Sequence, residues 1–272
     1  MSGRLVVCPT PIGNLEDVTL RVLAALRDAD VVACEDTRRT RVLLDRYGVA
    51  ASLLSYHEHN ERERTPELVR RMAAGGVVAL VSDAGMPLVS DPGYVLVVAC
   101  AAAGIEVEVL PGPSAVLAAL VASALPADVW RFAGFLPRKA GALRALFASA
   151  GETVVAFESP RRVGAALAVL ASVDPSRPVA VCRELTKVHE EVVRGTAVDL
   201  AARYAAEEPR GEIVVVVGAA PEGAAELEAG AAAVRRLVDA GARRRVAASV
   251  VAELTGGSAN ALYRAVEEDG GG

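Results

Sequence analysis

The sequence is poor in the residues that build metal sites and disulfides. It has four cysteines and three histidines among 272 residues, and no two cysteines form a CxxC pair. Since a structural zinc site needs four such ligands at short spacings, the sequence does not predict one. The segment His57–His59 is compatible with a metal ion, but a hydrogen-bonded loop is the favoured interpretation, and we expect no metal.

Long apolar runs and common enzyme motifs are also absent. The longest uncharged apolar stretch, about residues 94–105, is shorter than the roughly 20 residues that span a bilayer. The apolar run after the first charged residue is only Leu5–Cys8, which is too short for the core of a signal peptide. A cytoplasmic protein without membrane contact is therefore expected. The chain has no GxxxxGK(S/T), GxGxxG, GxSxG or HExxH motif, which argues against phosphoryl transfer, hydride transfer, and serine or zinc hydrolysis.

The chain has no excess of positive charge, but its basic residues form clusters. The net charge is −5, which argues against binding nucleic acid by bulk attraction. Lysine occurs only at Lys139 and Lys187, and many arginines gather where apolar runs end. Because arginine makes planar, bidentate contacts with phosphate and stacks on bases, these clusters are better evidence than the total charge.

Short apolar runs that end in Gly, Pro or charged residues recur along the chain. Each is typical of a buried strand, and Ala/Leu/Val stretches at helical spacing lie between them. This alternation predicts an α/β fold with mostly parallel sheets flanked by helices. The predicted strands are residues 4–8, 31–34, 76–81, 107–110, 154–157, 179–182 and 213–218, and the clearest predicted helices are residues 20–26, 66–72, 93–103, 114–124 and 163–170.

The most informative segment is Ser82–Gly93, which follows the apolar run of residues 76–81. Its glycines and prolines indicate an unusual backbone path, and Asp83 and Asp91 lie at either side of it. In open α/β sheets, ligands bind just beyond the carboxyl ends of the strands. On this segment alone, an ordinary βα turn is the equally weighted alternative.

Two breaks in the pattern predict three domains. The first lies near residues 115–125, and the βα pattern restarts only at Thr153, after the crossing segment Trp130–Lys139. The second lies at Gly218–Gly223, after which only helical patterning remains. The expected domains are residues 1–118 and 119–222, both α/β, and a helical extension of residues 223–272.

A series of segments over about residues 5–218 resembles one enzyme family. Together they are similar to the ribosomal RNA small subunit methyltransferase I branch of the tetrapyrrole methylases. An ordered set of this kind is more specific than any single short motif. The segments are PTPIGNLED (9–17), CEDTR (34–38), SYHEHNE (55–61), SDAGMPLVSDPG (82–93), PGPSA (111–115), GFLPRK (134–139), ESP (158–160) and RELTK (183–187).

The resemblance implies two α/β domains of the class III methyltransferase type around a cleft that holds S-adenosyl-L-methionine, and a homodimer. It implies methylation of the ribose 2′-hydroxyl of a cytidine in 16S ribosomal RNA near the decoding centre, with the small ribosomal subunit as partner. Two alternatives stay open. One is a tetrapyrrole-type methylase acting on a small molecule, against which the arginine clusters and the tail argue; the other is a binding module without catalysis.

Carried over position by position, the resemblance implies cofactor contacts at the strand ends. A sulfonium cofactor calls for oxygen acceptors or an aromatic face near its charge, an apolar slot for adenine and close backbone approach, which glycine permits. The implied cofactor contacts are Pro11, Asp83, Gly85, Met86, Ser114, Ala115, Phe157, Leu185 and Ile213.

Methyl transfer requires mainly alignment of the attacking oxygen with the methyl carbon and sulfur, and help in removing the hydroxyl proton. For each candidate acid, a structural salt bridge or helix cap is the alternative. The expected catalytic or orienting groups are Glu35, Asp36, His57, Glu158, Glu184 and Lys187. The expected RNA contacts are Arg38, Arg39, Arg138, Arg161, Arg162 and Arg183.

Two features qualify the resemblance. The branch commonly has histidine where this chain has Arg39 and Arg161, and arginine stays protonated, so neither position is expected to act as a general base. Residues 246–264 have the helix, glycine turn and helix spacing of a helix-turn-helix, preceded by Arg243–Arg245. A helical hairpin that packs on the core is the favoured alternative from pattern alone.

Overall fold

A computed structural model describes residues 3–220 and 224–267 of the chain. Within these ranges it contains ten strands, eleven α-helices and a short 3-10 helix at Leu15–Asp17, which confirms the predicted α/β class. None of the helices so described is long and apolar enough to span a bilayer. Two compact units are present.

The first unit consists of the residues up to Ala118 together with Glu184–Glu191. Its sheet has the strand order β3-β2-β4-β1-β5, and all neighbouring pairs are parallel, as predicted. Its strands are β1 Arg4–Val7, β2 Val31–Cys34, β3 Leu53–Ser55, β4 Val77–Val81 and β5 Glu106–Val109, and its helices are α1 Leu20–Asp28, α2 Thr37–Arg46, α3 Glu61–Ala73, α4 Tyr94–Ala102 and the first part of α5 Ala115–Ser123.

Apolar strands and helix caps in the local sequence define where the strands of this sheet end and the next helices begin. The central strands are buried on both faces, with Val6 and Ala79 packed on one face and Leu5 and Leu80 on the other. The Thr19 hydroxyl caps α1 and the Asp36 carboxylate caps α2, each accepting a backbone N–H of the first turn. Because the strands are parallel, the loops that follow β1, β2, β4 and β5 emerge at the same edge of the sheet.

The second unit consists of Ala119–Arg183 and the residues from Val192 onward. Its sheet has the order β6-β7-β10-β8-β9. Its strands are β6 Trp130–Phe135, β7 Thr153–Glu158, β8 Pro178–Arg183, β9 Glu191–Thr196 and β10 Ile213–Val217, and its helices are α6 Ala140–Ser149, α7 Pro160–Val173, α8 Ala197–Ala206, α9 Ala224–Asp239, α10 Arg244–Thr255 and α11 Ala259–Glu267.

The expectation of a mostly parallel arrangement is wrong for this second sheet. Strands β6 and β7 are parallel, but β10 is antiparallel to both β7 and β8. The connection between β8 and β9, residues 184–190, is too short for the crossover that a parallel neighbour requires. The chain therefore reverses direction there, and β10, which follows α8, is antiparallel to β7 and β8.

Strands β3, β6 and β9 were not predicted from the sequence. Strand β6 contains Arg131 and Gly134 and has an irregular register against β7, so its pattern does not alternate cleanly. Strand β9 begins with Glu191 and is only partly buried. Strand β3 is limited to Leu53–Ser55, which is too short to give a periodic signal.

The helices α9, α10 and α11 pack on one another around their own apolar cluster, which includes Val234, Val251 and Leu262. Gly230 allows α9 to approach α11, because a Cβ there would lie 2.6 Å from Cδ2 of Leu262. Helix α9 also contacts α6. The predicted domain boundaries stay predictions, and the boundary at residues 222 and 223 lies outside the described residues.

Candidate functional site

The loops after β1 and β4 are joined at the carboxyl edge of the first sheet. Thr10 and Gly85 exchange two backbone hydrogen bonds, each 2.9 Å long. The Thr10 hydroxyl also donates to the backbone carbonyl of Ser82 at 3.0 Å, and the Ser82 hydroxyl donates to the carbonyl of Gly85 at 3.2 Å. Thr10 and Ser82 are both buried, so these bonds fix the start of the acidic loop in a defined position.

Glycine is required where these loops come together. Gly85 has a φ of +77°, and a Cβ there would lie 3.3 Å from Cγ2 of Ile12. At Gly112, in the loop after β5, a Cβ would lie only 2.4 Å from Cγ of Pro9. The loops after β1, β4 and β5 thus form a closely packed cradle, in which glycine leaves room for the side chains of Ile12 and Pro9.

The acidic loop Ser82–Gly93 follows the unusual backbone path that the sequence predicts. Leu88 and Ser90 have φ values of +73° and +66°, which residues other than glycine rarely adopt. The N–H of Gly93 donates to Oε2 of Glu61 at 3.4 Å. Strain of this kind persists only where the surrounding structure holds it, and it is common at ligand sites.

Carboxylates gather beside this cradle, and we call Glu35, Asp36, Asp83 and Asp91 the carboxylate cluster. The backbone N–H of Asp36 donates to Oδ1 of Asp83 at 3.0 Å. Burial, followed by the charge of Glu35, raises the pKa of Asp91 to about 6, against the lowering effect of a hydrogen bond from Ser82. Burial and the charge of Asp83 also raise the pKa of Glu35. The cluster therefore favours a cation.

Two of the arginines expected to bind RNA pair with this cluster. Arg38 contacts Asp36 through Nε at 3.0 Å and Nη2 at 2.7 Å, and this bidentate contact lowers the pKa of Asp36 to about 2. Arg39 lies with Nε 3.4 Å from Oδ2 of Asp83. Their side chains are 88% and 63% exposed, so both guanidinium groups also face solvent.

His57 lies in a hydrogen-bonded loop, as the favoured interpretation of His57–His59 predicts. Its backbone N–H donates to Oδ1 of Asn60 at 2.9 Å, and its Nε2 lies 3.2 Å from Nδ2 of Asn60. Nδ1 is buried without a hydrogen-bond partner. Across the described ranges, no group of three or more His, Cys, Asp or Glu residues is arranged to hold a metal ion.

The segment Glu184–Glu191 lies against the loop after β1. Nζ of Lys187 is 2.8 Å from Oε1 of Glu184, so these two catalytic candidates pair with each other. The hydroxyl of Thr186 accepts from the N–H of Asn14 at 3.0 Å, and Leu185 is 8% exposed. A cavity of about 780 Å³ is lined by both segments, including Asn14, Glu184 and Lys187.

In the second unit, the Glu158 side chain is fully buried at the end of β7. Its Oε1 accepts from the N–H of Ser159 at 2.7 Å, and its Oε2 lies 3.1 Å from Nη2 of Arg162. The same nitrogen of Arg162 donates to the carbonyls of Leu136 at 3.1 Å and Pro137 at 2.9 Å. Burial raises the pKa of Glu158, while Ser159 and Arg162 lower it.

The remaining candidates differ in exposure. Arg138 and Arg161 are exposed, and Arg183 donates to the carbonyl of Arg210 at 3.4 Å. Ile213 is buried opposite Glu158 in the sheet register. Phe157 is half-buried and makes an edge contact with Phe132 at 5.0 Å between ring centroids.

This arrangement matches a known family. Residues 4–201 match the model of the Tetrapyrrole (Corrin/Porphyrin) Methylases. The chain belongs to the tetrapyrrole methylase family. It lies in the ribosomal RNA small subunit methyltransferase I branch, since it is 50% identical over 275 residues to the protein of that name from Mesorhizobium japonicum, covering 97% of this chain and 91% of the relative.

Further comparisons agree with this placement. The Escherichia coli O157:H7 protein of the same name is 41% identical over 276 residues, covering 98% of this chain and 96% of that protein. The structure of uroporphyrin-III C-methyl transferase from Thermus thermophilus, complexed with S-adenyl homocysteine, aligns with a TM-score of 0.57 and 23% identity, covering 79% of this chain and 97% of that one. The latter likeness concerns the fold alone.

S-adenosyl-L-methionine is the cofactor of this methylase, and the residues present fit it. When bound, it supplies an electrophilic methyl group on a positively charged sulfur. A Cβ at Gly85 or Gly112 would meet neighbouring side chains, so these glycines let the cradle loops keep the close-packed path beside which the cofactor would lie. Asp83 and Asp91 add the negative potential that suits a sulfonium cation.

Sequence reasoning missed some residues of the methylase that shape these sites. Thr10 and Ser82, which join two loops through buried hydroxyls, resemble ordinary loop residues in the sequence. Asp91 was noted in the loop but not placed among the site residues. Phe135 lies within the segment GFLPRK, but nothing in its local pattern indicated that its ring is exposed.

Proposed function

We propose that this protein transfers a methyl group from S-adenosyl-L-methionine to the ribose 2′-hydroxyl of a cytidine in 16S ribosomal RNA near the decoding centre. It would act in the cytoplasm on the small ribosomal subunit, without a metal and without membrane contact. The names of relatives that are 41% to 50% identical support an RNA substrate. The observation that carries the proposal is the carboxylate cluster beside Arg38 and Arg39.

Glu35 is the group proposed to take the hydroxyl proton. Its pKa is raised by burial and by Asp83, which brings a carboxylate closer to the basicity that proton removal requires. Asp36 is held by Arg38, with its pKa lowered to about 2, so it suits an orienting role. His57, Glu184 and Lys187 complete the proposed set, the last two as a pair, and Glu158, which is fully buried and paired with Arg162, orients its neighbours rather than touching the substrate.

The proposed cofactor and RNA contacts follow from exposure and charge. Carbonyl and N–H groups near Pro11, Gly85 and Ser114 would bind the polar parts of the cofactor. The other proposed cofactor contacts are Asp83, Met86, Ala115, Phe157, Leu185 and Ile213. The exposed arginines Arg38, Arg39, Arg138 and Arg161 are proposed to bind RNA phosphates, while Arg162 and Arg183, which hold backbone carbonyls, would support that surface.

The function is tested by methyl transfer from labelled S-adenosyl-L-methionine to small subunits from a strain that lacks this protein. Nuclease mapping should place the label on one cytidine ribose of 16S RNA. Free 16S RNA serves as the parallel substrate, and cofactor binding is confirmed separately. If cofactor binds but neither subunits nor free RNA accept the label, the RNA substrate is wrong and a small-molecule methylase replaces it.

A further inference from the structure

The carboxyl end of β6 carries an aromatic side chain that the proposed function does not use. Phe135 is the last residue of β6 and is 60% exposed. It follows Gly134, whose φ is +66°, and the register between β6 and β7 shifts between Phe132 and Phe135. Irregularities of this kind re-aim a side chain, and here the result is a ring that faces solvent.

The exposed ring is supported by other aromatic rings. Its centroid lies 5.5 Å from that of Phe157 in an edge-to-face contact, and Phe157 makes a second edge contact, at 5.0 Å, with Phe132. Such contacts hold a ring in one orientation. Phe135 is therefore exposed without being loosely held.

The backbone that follows Phe135 is fixed by an ion pair whose carboxylate is buried. The N–H of Leu136 donates to the carbonyl of Phe157 at 3.0 Å. Arg162 binds the carbonyls of Leu136 and Pro137 and is itself held by Glu158, whose side chain has no exposed surface. Leaving a buried carboxylate without its partner is costly, so Glu158 keeps Arg162 in place and Arg162 in turn holds this backbone.

The charged residues in the segment that contains Phe135 are all basic. Arg138 and Lys139 follow in the same loop, and Arg161 begins the neighbouring helix α7; all three side chains are exposed. The segment Trp130–Lys139 contains no acidic residue. An aromatic ring next to cations is the combination that binds single-stranded nucleic acid, because every base has a face that stacks and every linkage carries a phosphate.

We propose that Phe135 is a stacking platform for one base of a single-stranded RNA segment, with Arg138 and Lys139 binding the adjoining phosphates. Glu158 is then a positioning residue that acts through Arg162 on the backbone after Phe135. The inference rests on the proposed function in one respect, that the substrate is RNA. It adds a binding site for the base to a reaction that otherwise concerns only the ribose.

The direct test is binding of a short single-stranded RNA that contains the fluorescent base pyrrolocytidine. Loss of one stacking contact costs about 1–3 kcal/mol, or roughly 5- to 150-fold in affinity. Phe135→Ala and Phe135→Leu should weaken binding by this factor and abolish the quenching of the base. Phe135→Trp should retain both. Val198→Ala, which removes an exposed apolar side chain from α8 in the same unit, is the matched control.

The Leu variant decides the matter, because it keeps apolar surface but has no π-face. Binding by Phe135→Leu at the wild-type level overturns the proposal, as does an Ala variant within about twofold of wild type. Methyl transfer to small subunits distinguishes this failure from failure of the proposed function. RNA binding that depends on Phe135, without methyl transfer by the wild-type protein, would contradict the proposed reaction but not the stacking platform. Transfer that is unaffected by Phe135→Leu contradicts the platform and not the reaction.

The role of Glu158 is tested by a double-mutant cycle. Glu158→Gln should weaken RNA binding in the wild-type background and have little further effect in Phe135→Ala, since both changes remove the same platform. The affinity for S-adenosyl-L-methionine should be unchanged in all variants. Fully additive losses of RNA affinity overturn the positioning role.

Discussion

Neighbouring carboxylates at one edge of the first sheet differ in how they hold their protons. Asp36, which is paired with Arg38, has a pKa lowered to about 2. Asp91 is half-buried near two other carboxylates, and its pKa is raised to about 6. Environments that separate pKa values in this way assign distinct roles to chemically similar groups.

The raised pKa of Asp91 predicts a specific pH dependence of stability. An aspartate in the unfolded chain titrates near about pH 4, so between about pH 4 and the folded pKa of about 6 the folded state binds a proton that the unfolded state has lost. Stability therefore decreases as the pH rises through this window and is constant above it. Asp91→Asn should increase the free energy of unfolding at pH 7 by about 1–3 kcal/mol and leave it little changed near pH 4.

Urea unfolding at the two pH values measures this difference. The control is Asp17→Asn, at an exposed aspartate in the short 3-10 helix. This variant should not show the stabilisation expected of Asp91→Asn. An equal effect of Asp91→Asn at both pH values would contradict the prediction.

Glu35 predicts an effect on catalysis rather than on cofactor binding. Removing a general base typically costs about 10²- to 10⁴-fold in rate, so Glu35→Gln should lower kcat by at least about 10²-fold and change the Kd of S-adenosyl-L-methionine much less. Single-turnover transfer and calorimetric binding measure the two quantities. Glu58→Gln, at an exposed neighbour of His57, should retain activity. Unchanged turnover in Glu35→Gln removes this residue from the catalytic groups.

At the scale of elements, the cradle depends on the close approach of the loops after β1 and β5. A Cβ at Gly112 would lie 2.4 Å from Cγ of Pro9, so the loops after β1 and β5 must move apart in Gly112→Ala. We expect a loss of about 1–3 kcal/mol in stability and weaker cofactor binding. Gly141→Ala in α6, where a Cβ meets no atom within 4 Å, should be neutral or stabilising. Thermal unfolding and cofactor titration of both variants test this, and equal behaviour would show that the loops adapt freely.

At the scale of the whole molecule, α5 predicts self-association. Its sequence, AVLAALVAS, is apolar on all sides, and Leu117 and Val121 are 52% and 80% exposed. Exposed apolar side chains on one helix face favour burial against a second copy, in line with the proposed homodimer. Val121→Glu should shift the protein toward the monomer in light scattering, whereas Val198→Glu on α8 should not. A monomeric wild-type protein at micromolar concentration would contradict the homodimer.

The helical extension predicts a separation between cofactor binding and action on the ribosome. Helices α9, α10 and α11 have their own apolar cluster, and α9 contacts α6. A chain that ends at Ala220 should bind S-adenosyl-L-methionine normally but act poorly on small subunits. Cofactor titration and methyl transfer measure the two effects. Insoluble protein would show instead that the extension is needed for folding, and full activity would show that it has no part in substrate binding.

Much of the fold follows from local pattern. The runs Val31–Cys34 and Val77–Val81 are continuous, apolar and bounded by turn residues, so they predict buried parallel strands. Thr19 and Asp36 mark helix starts through hydroxyl and carboxylate caps. The candidate site is predicted to the same extent, because loops at the carboxyl ends of parallel strands share one edge. Strand β6 was missed since its register irregularity interrupts the local pattern.

The sequence by itself determined the α/β class and the family, and it predicted the loops proposed to carry function. These depend on periodicity and on ordered motifs, which are local in the chain. Only the tertiary structure decided the antiparallel placement of β10, the commitment of Arg162 to Glu158 and two carbonyls, the raised pKa of Asp91 and the exposure of Phe135. Each of these depends on which residues, distant in sequence, lie within a few ångströms of one another in the fold. Local sequence patterns do not specify such distances.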